Sequence, residues 1–272
     1  MFNCQLIQFM KPIANIPYSE DEQPHLEKLR LLFMDWHARF TEGAFQLANH
    51  TPDDIVCDGF YPGYFDQKPR ILFVGRESRQ ISGYNNLDVL FEAYRTGKKI
   101  GGRKLNGDRV HSRMLRVAHG LLRNMPPWEN IPEAEQIGDS FGTPEGISFA
   151  FMNISKLSNE SDDFQSDWPV IEAAHRLSNH PRRLTEEEVA LLQPDIVITM
   201  NLGDKLTTLG GLTKIETLNS VASYSLNSVG HNSLLLDTFH FSAWNKDDVL
   251  DFYEPICQSV SSAFQSMRRH GS

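Results

Sequence analysis

Apolar residues along this chain fall into two patterns, a helical spacing and short continuous runs. From His25 to Asn49 the apolar residues Leu26, Leu29, Leu32, Phe33, Trp36, Phe40, Ala44 and Leu47 recur every three to four positions, which predicts an amphipathic helix. Ser19, Glu22 and Pro24 precede it in the pattern of a capped helix entry. A loop rich in Gly, Pro, Asp and Tyr follows from Thr51 to Pro69. Beyond it come four short apolar runs: Ile71 to Val74, Ile147 to Ile154, Ile196 to Met200 and Leu234 to Phe239. Between them lie helical patterns at Leu87 to Arg95, Val110 to Arg123, Val170 to Leu177 and Glu186 to Leu192, the last with a Thr185/Glu188 capping box and a Pro194 stop. Asp247 to Met267 gives a closing helix.

Wholly apolar strands separated by helices imply an α/β fold. The expected architecture is a three-layer αβα core, residues 67–272, around a central, mostly parallel four-stranded sheet. An N-terminal helical extension, residues 1–66, is expected to pack on that core. With 272 residues there is room for one large core rather than two independent domains. No run of about 18 apolar residues exists to span a bilayer. The segment Met1 to Pro17 lacks the basic start, long apolar stretch and cleavage site of a secretory signal, so a cytoplasmic protein is expected.

Charge modifies this picture. The formal net charge of −9 argues against a general polyanion binder, but nine basic residues and one acidic residue lie between Arg95 and Arg123. That stretch carries +8 and leaves −17 on the rest of the chain. It reads equally as a polyanion footprint, with Arg103, Lys104 and Arg109 as candidate DNA contacts, or as a solvated basic helix face. Cys4, Cys57 and Cys257 stand too far apart for a CxxC metal pair and read as incidental thiols. No HExxH, Gly-x-Gly-x-x-Gly or Walker motif is present, so neither a metal nor a nucleotide cofactor is expected.

In a parallel sheet the carboxyl ends of the strands share one edge, where ligands bind. Gly75-Arg76-Glu77-Ser78-Arg79 follows the first strand and His240-Phe241-Ser242-Ala243-Trp244 the fourth, while Asn153 ends the second. A carboxylate activates water, an imidazole hydrogen-bonds to a leaving group, and an amide reads the edge of a planar base. Each residue taken alone also suits a purely structural role: a surface acid, a core histidine, an Asn closing a turn.

Four motifs in order resemble the uracil-DNA glycosylase superfamily. They are Gly75-Arg76-Glu77-Ser78, then Asn153 with Lys156, then Pro194-Asp195-Ile196 through Leu202-Gly203, and His240-Phe241-Ser242. The resemblance spans about Lys68 to Ser266. It departs from the family pattern at Ser78 and Phe241, where the family carries prolines, and it lacks the cysteines of the iron-sulfur members. It implies a monofunctional DNA glycosylase that flips a base from the duplex and hydrolyses its N-glycosidic bond. Glu77 would position water and His240 would stabilise the leaving base. Asn153, with Tyr84 or Phe151 stacking, would bind the base. Gly75, Ser242, Trp244 and Lys156 would contact DNA beside the basic segment.

The implied substrate is uracil or a modified pyrimidine, including a bulky base of phage DNA, in a repair or antiviral setting. Competing readings are a non-catalytic DNA- or partner-binding protein of the same fold and a serine hydrolase using Ser78 and His240. The latter lacks the Gly-x-Ser-x-Gly elbow.

Overall fold

A strand with apolar side chains on both faces needs cover on both sides, and the four apolar runs set the plan of the molecule accordingly. The computed structural model describes residues 16–47, 49–162 and 165–270, with side chains as far as residue 265. Residues 1–15, including Cys4 and most of the segment Met1 to Pro17 on which the expectation of no secretory signal rests, lie outside the described residues. In chain order the elements are helix α1 (Gln23–Glu42), strand β1 (Gly59–Phe60) and strand β2 (Ile71–Gly75). Helices α2 (Asn86–Thr96), α3 (Arg109–Leu122) and the short α4 (Ala134–Gly138) lead to β3 (Ala150–Asn153). Then come α5 (Trp168–Asn179), α6 (Leu184–Leu192) and β4 (Ile196–Met200). Three strands follow, β5 (Gly211–Leu218), β6 (Val221–Ser228) and β7 (His231–Thr238). Helix α7 (Glu254–His270) closes the chain and is entered through a π-helical turn at Asp248–Tyr253.

The seven strands form one mixed sheet in the order β1-β3-β2-β4-β7-β6-β5. This corrects the expected four-stranded sheet. The strands read from the apolar runs are the parallel centre, β3-β2-β4-β7. Strand β1 adds antiparallel to β3, and β6 and β5 extend the other side as an antiparallel meander. Strands β5 and β6 carry no continuous apolar run because part of each meets solvent, β5 being made of exposed and half-buried residues, while β1 is buried but only two residues long.

Side chains from successive strand residues point to opposite faces. Ile71, Phe73, Phe151, Ile198 and Leu236 pack with residues of α2, α3 and α7. Leu72, Val74, Met152, Val197 and Leu235 pack with Leu29 of α1, Ile171 of α5 and Val189 of α6. Helices therefore cover both faces. The core also runs across the expected boundary at residue 66: Phe60, Tyr61 and Tyr64 are fully buried, and Gly59 pairs with Phe151.

Local signals hold at most helix ends. The Ser19 backbone and hydroxyl donate to Glu22, Asn85 and Asp108 cap α2 and α3, and α6 stops before Gln193 in the left-handed region. Two expectations are corrected. Helix α1 ends at Glu42, where Gly43 leads into a 3-10 turn, and not at Asn49. The N-cap of α6 is Arg183, so Thr185 and Glu188 form no capping box; both are buried, and the Glu188 carboxylate lies 2.7 Å from Lys156 Nζ.

Candidate active site

Register places the chain exits of the parallel strands side by side. Gly75 pairs with Asn153, Val74 with Thr199 and Met200 with Thr238, so the loops carrying Glu77, Asn153 and His240 leave one sheet edge. The loop after β2 is bonded to the loop after β3: Asn159 N–H donates to Ser78 O at 2.8 Å, and Gln80 N–H donates to Asn159 O at 3.1 Å.

Glu77 is half-buried, and burial raises its carboxyl above the ordinary range. Hydrogen bonds from Ser166 and Asn159 and the charges of Arg76 and Arg79 pull the other way without overcoming burial. The result is a carboxylate more basic than a surface one, which suits a proton acceptor.

His240 Nδ1 lies 2.7 Å from Ser242 Oγ and accepts the Ser242 backbone N–H at 3.2 Å. A backbone N–H can only donate, so Nδ1 is the bare nitrogen and the proton of the neutral ring sits on Nε2. Burial, helped by the charge of Arg76, pushes the imidazole down to about 4. At neutral pH the edge therefore holds an uncharged imidazole with one N–H to donate. The Ser242 hydroxyl and N–H are both engaged with this ring. Ser242 thus orients His240, and neither of these donors is left for the phosphate contact expected of it.

A residue counted in the basic segment supports this loop from below. Arg113 is buried, and Nη1 donates to Phe241 O at 2.5 Å and Ala243 O at 3.0 Å. Its Nη2 donates to Lys246 O at 3.0 Å and its Nε to Asp248 at 2.7 Å, while the guanidinium covers the Phe252 ring at 4.3 Å. One planar fork thereby holds three carbonyls of the segment that follows His240.

Asn153 is 2% exposed. Its backbone N–H donates to Asp58 at 2.8 Å and its Nδ2 to Ser78 Oγ at 3.0 Å. Oδ1 accepts no hydrogen bond from a described residue. It occupies space over Gly75, where a Cβ would come within 2.4 Å of it, so Gly75 makes room for the amide. The same contact ties Ser78 to Asn153, while His240 turns to Ser242; no Ser78–His240 dyad forms, and the serine hydrolase reading loses its base.

The other expected residues divide. Lys156 is corrected: it is fully buried between Asp58 and Glu188, 2.7 Å from each, with Nζ 4.9 Å from the Trp36 ring centre, and no DNA reaches it. Phe151 is packed in the core at 6% exposure and is no free stacking surface. Tyr84 and Trp244 are 66% and 79% exposed and can meet a ligand. Arg103, Lys104 and Arg109 are exposed, with no ion pair among the described residues. Arg109 opens α3 one turn before Arg113. The remainder of the basic segment is partly structural. Arg95 bonds to Asp139 O, Lys98 to Glu92, Arg116 stacks on Trp128, and Arg123 bonds to Glu145 O.

Sequence reasoning gave no role to Arg76, Asp237, Asn159, Ser166 and Trp168. Asp237 accepts from Thr199 Oγ1 at 2.6 Å and from the N–H groups of Asn201 and Leu202, yet burial still raises it. The one signal available was position, since all five lie within a few residues of a parallel strand end or the start of α5.

A cavity of about 270 Å³ lies elsewhere, lined by His119, Arg123, Gln136 and Glu145 near the entrance to β3, and contains none of these groups. Among the described residues no three His, Cys, Asp or Glu cluster in a metal-binding arrangement, and no helix is long and apolar enough to cross a membrane. Among known proteins, no family model and no curated sequence matches the chain.

Proposed function

We propose that this chain is a monofunctional DNA glycosylase of the uracil-DNA glycosylase type, built on an αβα core. The observation that carries the reading is the pair at one sheet edge: a partly buried, basic Glu77 and a neutral His240 whose Nε2–H is free to donate. A nucleotide extruded from the duplex brings its glycosidic bond to this edge. Glu77 accepts a proton from the attacking water and faces the cation-like sugar. The bond to the base breaks with its electron pair remaining on the base, and His240 Nε2–H stabilises that charge. Asn153 Oδ1, the unengaged acceptor, takes an N–H of the base edge. That favours a uracil-type base, whose ring N–H lies between two carbonyls, over a cytosine-type base with an acceptor there. Tyr84 and Trp244 meet the base or the opened duplex, and Arg103, Lys104 and Arg109 meet phosphates. The activity fits a cytoplasmic role in repair or antiviral defence.

The alternative is a DNA- or partner-binding protein of the same fold without catalysis. Glu77→Gln tests both. The proposal expects base release to fall by about 10²–10⁴-fold while DNA affinity is kept. Equal turnover by wild type and variant removes Glu77 from the reaction, and binding without release by either protein supports the alternative.

A further inference from the structure

Arg76 stands beside Glu77 but plays no part in the chemistry so far. It directly follows the wholly apolar strand β2 and is only partly exposed. Its Nε and Nη2 donate to one acceptor, Asn201 O, at 3.2 and 2.9 Å, and the guanidinium lies 5.2 Å from the Trp168 ring centre. Two anchors, one in the loop after β4 and one at the start of α5, therefore hold the fork. Nη1 has no hydrogen-bond partner and the side chain no ion pair within contact distance among the described residues. Its charge is nonetheless felt by Glu77, Asp237 and His240 alike, so it lies among the strand ends that carry them. A cation so placed, with a donor unused and water partly excluded, is set to meet negative charge that arrives with a substrate or develops during reaction.

Resting on the glycosylase reading above, we propose that Arg76 is a catalytic residue that binds the departing base, sharing its developing negative charge with His240. The atoms balance simply. Water oxygen bonds to the anomeric carbon, its proton passes to Glu77, and the base leaves as a monoanion against Arg76 Nη1 and His240 Nε2–H. Solvent protonates it after release. A neutral imidazole alone supplies a dipole; the guanidinium adds a full charge that remains fixed at every working pH.

Arg76→Gln keeps a planar donor and removes the charge. Single-turnover release is measured from duplexes carrying uracil or 5-fluorouracil, whose fluorine makes the leaving base more acidic and less dependent on outside stabilisation. The expected result is a loss of about 100-fold or more for uracil, the scale of removing one oxyanion donor, and a clearly smaller loss for 5-fluorouracil. A misfolded or merely loosened site slows both equally. Equal slowing of the two bases, or no slowing, overturns the role of Arg76 while leaving the glycosylase reading intact. Failure of the wild type to release either base from DNA that it binds overturns the uracil-type glycosylase reading itself, and this inference with it.

Discussion

Replacing Glu188 by Gln tests how the buried ionic group beneath the site is charged. Lys156 Nζ sits 2.7 Å from Asp58 and 2.7 Å from Glu188, and all three residues are almost wholly out of water. Two carboxylates share one ammonium. Burial first, and then the charge of Asp58, hold the Glu188 carboxyl well above its ordinary value of 4.5. The stable arrangement is therefore a charged Lys156 beside a protonated Glu188, its proton towards Asp58. A Gln amide presents an N–H where that acid presents its O–H, and it removes no charge from a protonated carboxyl.

The sign follows from proton counting. Above the ordinary carboxyl value the unfolded chain loses the Glu188 proton while the folded protein keeps it. Folded stability from this group is thus complete below about 4.5 and drains away as pH rises, until the raised folded value is reached. The slope within that window is at most about 1.4 kcal/mol per pH unit. His25, His111, His119, His175 and His240 are all held below 6.5 by burial and slope the other way, but they are common to both proteins. Urea denaturation at pH 5, 6 and 7 should therefore show the stability of Glu188→Gln relative to wild type rising with pH, by up to about 1.4 kcal/mol per unit. A difference that is flat across this range refutes a protonated Glu188.

Other outcomes follow from the same geometry. Arg113→Ala leaves the carbonyls of Phe241, Ala243 and Lys246 without their donor and should destabilise the fold by about 3–5 kcal/mol; a loss under about 1 kcal/mol by urea denaturation contradicts its role beneath the His240 loop. Glu77 must be ionised to accept a proton, so release should fall as pH drops through its raised value. Arg79 lowers that value, and Arg79→Gln should move the acid limb of the pH–rate profile upward; an unmoved limb means another group sets it. Changing Arg103, Lys104 and Arg109 together to Glu should weaken DNA binding and reduce the slope of log affinity against log salt by about 2–3. An unchanged slope in a salt titration assigns the basic segment to another task.

The parallel centre was legible in the sequence because strands covered on both faces have to be apolar throughout, as in Ile71 to Val74. Strands β5 and β6 escaped because they carry no continuous apolar run, although the alternation from Ala222 to Asn227 in β6 is the period-2 signal of a half-buried strand. Strand β1 has two residues and offers no period at all. Glu77 and His240 were legible as polar groups immediately after apolar strands. The fate of charged side chains was not, because burial and pairing arise from tertiary structure. Lys156 read as a DNA contact, Glu188 as part of a helix cap and Arg113 as one of the basic segment, and they find their charged partners between 32 and 135 residues away. Nor could the sequence show that Ser242 orients His240, since both depend on the turn after β7.

The most direct measurement is the release of free base, followed by mass spectrometry, from duplexes carrying uracil, hydroxymethyluracil, hydroxymethylcytosine, glucosylated hydroxymethylcytosine or ordinary bases. Wild type and Glu77→Gln are incubated in parallel. The account predicts that wild type frees a uracil-type base and leaves an abasic site, and that Glu77→Gln binds the same DNA but frees almost none. DNA bound with no base released from any duplex would contradict catalysis at Glu77 and His240, and would leave a binding protein in its place.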